Sequence, residues 1–196
     1  MLGMSTPLTC PTLLTERLVL QPVECEDAAD LYALWSTDGF DISGGFAKPE
    51  NLQSVLENIK YFKTLNSSGF YFKWSIRSRE TYEFLGEFES FPLKPQIRPW
   101  YEWGLGYCLK GSVWGHGYMT EALRRFLQFA FEETVILRIK ADVMESNSRS
   151  LNLLHKLGFH QEGIQASKNY SNGKFNDMIL MAYARDRYIS EKSFDT

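Results

Sequence analysis

Residues 101–131 read YEWGLGYCLKGSVWGHGYMTEALRRFLQFAF, three pieces with different periods. From Tyr101 to Leu109 the side chains alternate as in a strand. Trp103, Leu105, Tyr107 and Leu109 share one face, whereas Glu102, Gly104, Gly106 and Cys108 share the other, which is almost bare. From Met119 the period becomes helical: Met119, Ala122, Leu123, Phe126, Leu127, Ala130 and Phe131 form one apolar stripe. Between strand and helix, Lys110 to Thr120 carries Gly115 and Gly117. Glycines there reach backbone conformations closed to other residues and present consecutive N–H groups, and the helix N-terminus adds about half a positive charge. The segment therefore predicts an anion site suited to a pyrophosphate; a plain tight turn is the alternative. No GK[ST] follows, and Leu109 stands where Gly104-x-Gly106 would need a third glycine, so neither a Walker loop nor a dinucleotide fingerprint is present.

Outward from this segment, the pattern predicts a strand at Arg17 to Gln21, a helix at Glu26 to Ser36, and a second helix from Pro49 to about Leu65. Gly69 to Ile76 and Phe84 to Phe91 alternate as an antiparallel hairpin, with Glu87 and Glu89 expected to point outward. After the central helix come a strand at Val135 to Val143, a helix at Asn147 to Leu157 ended by Gly158, and strands near Phe159 to Lys168 and Lys174 to Ala184. These last two are joined at Ser171-Asn172-Gly173. The order is β α α β β β α β α β β. Residues 1–14 read as a flexible leader, 15–185 as one domain and 186–196 as a tail, while Trp35, Phe40, Phe46, Trp100 and Trp103 read first as core residues, some of which line a mobile acceptor site with the Gly-rich Asp38 to Gly45 segment.

At 196 residues, the chain is long enough for one self-sufficient core. Twenty-one Lys and Arg against 24 Asp and Glu leave a net charge of −3, which argues against nucleic acid as the main partner. Cys10, Cys25 and Cys108 form no CxxC pair, so reduced thiols and a cytoplasmic setting are expected. His116, His155 and His160 have no metal-ligand spacing, and no apolar run reaches the 18 or so residues of a bilayer span; no metal and no membrane are expected.

Three blocks resemble the GNAT superfamily of N-acetyltransferases, and within it the RimJ/RimL-type branch that acetylates ribosomal-protein N-termini. Thr15-Glu16-Arg17-Leu18 with Leu20 is similar to the branch's opening strand. Trp114-Gly115-His116-Gly117-Tyr118-Met119-Thr120-Glu121-Ala122 is similar to its acetyl-CoA loop, and Asn147-x-x-Ser150 through Lys156-x-Gly158-Phe159 to a following helix. The resemblance spans about Thr15 to Tyr183. It implies a single-domain α/β (α+β) fold: a mixed, mostly antiparallel seven-stranded sheet splayed between strands 4 and 5 and flanked by about four helices. It implies acetyl-CoA as co-substrate, with its pyrophosphate on the amides of Trp114, Gly115, His116, Gly117, Tyr118 and Met119, its pantetheine along Tyr107, Cys108 and Leu109, and Asn147 near the thiol. Trp114 replaces the family's Gln or Arg, Met119 a small residue, Leu154 a tyrosine acid, and Gly104 a glutamate.

A thioester acyl group is already activated, so the chemistry asks for a neutral amine, proximity and a polarised carbonyl. Glu102, through water, is the expected base, and Ser150 the expected acid for the leaving thiolate. Each has a plainer reading: Glu102 as a solvated strand residue, Ser150 as a local backbone partner, Asn147 as a helix cap, and Cys108 as a small core thiol rather than an acyl-accepting nucleophile. The expected function is acetyl transfer to a primary amine in a ternary complex, by a monomer or homodimer. The acceptor is a protein N-terminus or a small molecule such as an amino acid or antibiotic. A non-catalytic acyl-CoA-binding domain is the alternative.

Overall fold

The computed structural model describes residues 9–37, 48–67, 69, 71–96, 99, 101–171 and 173–194. The elements are β1 (Leu13–Leu14), β2 (Leu18–Pro22), α1 (Ala28–Trp35), α2 (Leu52–Ser67), β3 (Phe72–Ser78), β4 (Phe84–Pro92) and β5 (Glu102–Leu109), then α3 (Tyr118–Glu133), β6 (Arg138–Met144), α4 (Ser148–Lys156), β7 (His160–Ser171), β8 (Lys174–Ala184) and α5 (Arg185–Phe194). The strands form one sheet in the order β1-β2-β3-β4-β5-β6-β8-β7. Every neighbouring pair is antiparallel except β5 and β6.

The mixed, mostly antiparallel sheet is as expected, with eight strands instead of seven. The added strand is the two-residue β1, where Leu13 and Leu14 fold back on Leu20 and Val19; two residues are too few to show a period. Cys10 and Leu13 are buried, and Trp74 Nε1 donates to the Pro11 carbonyl, so the chain joins the fold before Thr15. At the other end α5 is a fifth helix: the Tyr188 ring lies 5.3 Å from that of Phe131, and its hydroxyl donates to Glu132 Oε1 at 2.7 Å. Helix α2 starts three residues beyond Pro49, because the Asn51 side chain caps the Ser54 amide at 2.9 Å.

Two cores lie on opposite faces of the sheet. On one, α3 and α4 cover Trp74, Phe88 and Trp103 together with Leu18 and Ile139. The stripe predicted for α3 is buried throughout, and Trp74 stacks on Phe88 at 4.5 Å. On the other, α1 and α2 bring Leu31, Trp35, Val55 and Ile59 against Phe84.

The outward placement of Glu87 and Glu89 is overturned. Both carboxylates are buried beneath α1 and α2, as are Lys73 and Ser75 on the same face of β3. Alternation marks a polar face, and polarity ordinarily means solvent. Here Lys73 bridges the two carboxylates under a helical layer, an arrangement that period alone does not reveal.

Candidate active site

Strands β5 and β6 pair in parallel at only three positions, Glu102 with Arg138, Trp103 with Ile139 and Gly104 with Lys140. Beyond Gly104 they part, while β5 stays paired with β4 through Leu109. This is the expected splay. Backbone groups of alternate strand residues point to alternate sides. The carbonyls of Glu102 and Gly104 accept bonds from Leu93 N, just past the end of β4, and from Ser90 Oγ on β4, so the backbones of Leu105, Tyr107 and Leu109 face the opening. An extended ligand can pair there as a missing strand would.

The glycine loop closes the upper end of that opening. Gly115 and Gly117 have φ of +80° and +78°, the left-handed region that explains why glycine stands at both. Gly117 occupies the N-cap of α3 and supplies no capping side chain. Among the described residues, the amides from Gly115 to Thr120 have no acceptor. A row of free N–H groups at a helix N-terminus matches a diphosphate, so the residues present fit the pyrophosphate of acetyl-CoA.

The Thr15-Glu16-Arg17-Leu18 block holds this loop. Glu121, in the first turn of α3, accepts from Thr15 Oγ1 at 2.6 Å, the Arg17 amide at 2.9 Å and Arg17 Nε at 2.7 Å. Arg17 Nη1 donates to the His116 carbonyl at 3.1 Å, and its guanidinium lies 4.7 Å from the centre of the Tyr118 ring. Burial opposes the charge on Glu121, but the Thr15 and Arg17 bonds prevail and hold its carboxyl below the usual range. Two blocks 100 residues apart in sequence thus form one latch. The His116 ring turns back onto its own loop, with Nδ1 2.9 Å from the Trp114 carbonyl.

Helix α4 forms the far wall of the opening. Asn147 caps it, accepting from the Ser150 amide at 3.1 Å. Ser150 Oγ lies 2.5 Å from the Tyr107 hydroxyl, which reaches across from β5. Burial pushes the Tyr107 phenol up to about 12, so it remains a protonated donor at neutral pH. A second bridge crosses nearby: the Arg149 guanidinium lies 4.2 Å from the ring centre of Trp114, whose Nε1 donates to the Leu109 carbonyl at 3.0 Å. Leu154, in the position of the family's tyrosine, is fully buried.

Other predicted residues fall away from this grouping. Glu102 sits where the strands still pair, 3.1 Å from Arg138 Nε, with Lys94 at 3.6 Å and Lys140 at 3.9 Å. The glycine face of β5 is not an open slot. A Cβ at Gly104 would meet Phe91 Cε2 at 2.8 Å, and one at Gly106 would meet Glu89 Oε1 at 3.1 Å. Cys108 is on this face too, and burial raises its thiol to about 12, which leaves it protonated. The expected acceptor segment, Asp38 to Gly45 with Phe46, and Trp100 lie outside the described residues. Among the described residues, no three His, Cys, Asp or Glu side chains gather as metal ligands, and no helix is long and apolar enough to cross a membrane.

Sequence analysis missed the group beside Gly106. Lys73 Nζ stands 2.8 Å from Glu87 Oε2 and 2.7 Å from Glu89 Oε2. Trp35 Nε1 donates to Glu87 Oε1 at 2.7 Å, and the Tyr71 hydroxyl donates to Glu89 Oε2. Its only trace in the sequence is that one Lys and two Glu fall at alternating positions on predicted neighbouring strands.

Residues 17–160 match the acetyltransferase (GNAT) domain family. The chain belongs to that family. YoaA of Bacillus subtilis, named as an uncharacterised N-acetyltransferase, is 27% identical over 177 residues, covering 90% of this chain and 98% of its own. The alanine N-acetyltransferase of ribosomal protein uS5 from Escherichia coli is 38% identical over 79 residues, 40% of each chain. RimL, a ribosomal L7/L12 alpha-N-protein acetyltransferase solved in complex with coenzyme A, superposes with a TM-score of 0.78 at 18% identity, covering 90% of this chain and 99% of that one. This GNAT protein accordingly carries an acetyltransferase domain, and its relatives include proteins named as N-acetyltransferases.

Proposed function

We propose that this GNAT enzyme passes the acetyl group of acetyl-CoA directly to a primary amine held in the same complex, the amine being a protein N-terminus or a small molecule. The observation that carries this reading is the unpaired edge of β5. Leu105 and Tyr107 present backbone groups along the opening, the free amides of Gly115 to Thr120 lie at one end, and the Tyr107–Ser150 pair lies beside it.

Acetyl-CoA supplies the activated acyl group as a thioester. The loop amides hold the diphosphate, the β5 edge aligns the pantetheine, and a β5 amide polarises the carbonyl. Ser150, hydrogen-bonded to the phenol of Tyr107, is placed to return a proton to the departing sulfur. Cys108 has no part in the transfer: its thiol is protonated and faces the other side of β5. Three free cysteines accord with a cytoplasmic setting.

Direct transfer predicts intersecting initial-rate lines when acetyl-CoA and amine are varied together, and an unchanged protein mass after incubation with acetyl-CoA alone. Parallel lines with an acetylated Cys108 would contradict it.

A further inference from the structure

The buried group beside Gly106 has a charge imbalance. Lys73 is one cation between two carboxylates, and both Glu87 and Glu89 are more than nine-tenths buried. Burial works against the charge on Lys73, but the two glutamates outweigh it and hold its pKa above the ordinary lysine value. The Tyr71 phenol, raised by burial first and then by Glu89, stays neutral. With all three charged groups ionised, one negative charge is left without a counterion among the described residues, in a poorly solvated place, a situation that costs several kcal/mol unless a proton or a cation answers it.

Glu89 is the carboxylate that packs against Gly106. Its Oε2 is taken by Lys73 and Tyr71, whereas Oε1 has no hydrogen-bond donor among the described residues and is the atom nearest the Cβ position of Gly106. Gly106 belongs to the stretch of β5 that has lost β6. Aromatic rings wall the group: Tyr71 stacks between Phe62 at 5.1 Å and Phe91 at 5.7 Å, and Trp35 lies over Lys73. Glu89 and the Tyr107–Ser150 pair lie on opposite faces of β5. A carboxylate thus lies on one side of the unpaired stretch of β5 and a hydroxyl pair on the other, next to where the sulfur of a ligand paired along that edge would depart.

We propose that Glu89, delivered from β4 into the space left by Gly106, is the carboxylate that receives the acceptor's ammonium and takes its proton, with Lys73, Glu87 and Tyr71 fixing its position. The inference rests on the acetyltransferase reading and deepens it. The acceptor class is a protonated primary amine, which supplies the second cation that the cluster lacks among the described residues. The ammonium gives one proton to Glu89 Oε1, and the freed amine attacks the thioester carbonyl. A C–N bond forms, the C–S bond breaks, the nitrogen loses its second proton, and the thiolate gains one through Ser150. Glu89 then releases its proton to solvent, so each turnover yields an amide, free CoA thiol and one proton.

The test uses the full chain with acetyl-CoA and two probes, an alanine-initiated peptide and spermidine, reading kcat and KM for the amine and calorimetric affinity for acetyl-CoA. Glu89→Gln should lower kcat/KM for whichever probe is acetylated by about 100-fold or more, with acetyl-CoA affinity within about twofold of wild type. Glu89→Asp keeps the charge toward Lys73 while drawing the carboxylate back by one methylene. It should fold even where the glutamine variant does not, and lose about tenfold in kcat. Full turnover in Glu89→Asp and Glu89→Gln, with loss in Glu102→Gln, would overturn the inference and leave the acetyltransferase reading intact. Wild-type protein that binds acetyl-CoA but acetylates neither these probes nor any of a set of N-terminal peptides, amino acids, polyamines and aminoglycosides would contradict the amine reading itself and the role of Glu89 with it.

Discussion

The two faces of β5 are built from different materials. Toward α3 and α4 the ligand surface is mostly backbone: unpaired strand groups, two left-handed glycines and the free amides of a helix N-terminus. Toward α1 and α2 it is made of side chains, Lys73, Glu87, Glu89 and Tyr71, whose charges depend on one another. A backbone site tolerates changes of side chain, which fits Trp114 and Met119 standing where the resembled acetyl-CoA loop motif has other residues. A side-chain site of mutually dependent charges does not tolerate loss of a member.

The largest effect should therefore come from the side-chain half. Lys73→Met strands two buried carboxylates and should cost about 3–5 kcal/mol of stability, read from urea unfolding at neutral pH. A loss below about 1 kcal/mol would mean that the group is solvated and does not act as a unit. Next is Gly117→Asp, which sets a side chain and a negative charge where φ is +78° and a diphosphate must approach. It should weaken acetyl-CoA binding by about 100-fold in calorimetry, because a non-glycine strain adds to repulsion at a helix N-terminus. Unchanged affinity would break the backbone half of the comparison.

Arg17→Ala releases the latch on the loop without touching its amides, and should lower acetyl-CoA affinity by about tenfold. A larger loss would show that the guanidinium touches the phosphates themselves.

A pH comparison sharpens the other half. Glu87 has its pKa raised above the ordinary 4.5 by burial, with Lys73 opposing. Its contribution to stability is therefore complete below pH 4.5 and is lost as pH rises through the raised value. Glu87→Gln removes that dependence, so from pH 5 to pH 8 the variant should gain stability relative to wild type. A constant difference across that range would show that Glu87 is fully compensated. The smallest effect belongs to Trp114→Gln: among the described residues its side chain reaches the Leu109 carbonyl and Arg149, and acetyl-CoA affinity should change less than about threefold.

The same contrast explains what the sequence disclosed. Two glycines before a helical stripe, a bare strand face and the Asn147-x-x-Ser150 cap are local patterns, and the structure places them around one opening. Tyr107 was legible as a backbone contact. Its hydroxyl bond to Ser150 depends on the distance across the splay, which no period encodes. Glu102 was legible as a carboxylate on the correct face but not as a partner of Arg138, since that pairing follows from the parallel register of β5 and β6. Glu87 and Glu89 were assigned to solvent because the layer that covers them, α1 and α2, is remote in sequence and its packing is not a local property.

The most direct measurement is acetyl-CoA consumption with free-thiol release over a panel of N-terminal peptides, amino acids, polyamines and aminoglycosides, with acetyl-CoA affinity determined on the same sample. The account predicts tight binding and turnover with at least one primary amine, with one thiol released per acetylated product. Binding without turnover across the panel would contradict amine acetylation, and absence of binding would contradict the β5 opening as the acetyl-CoA site.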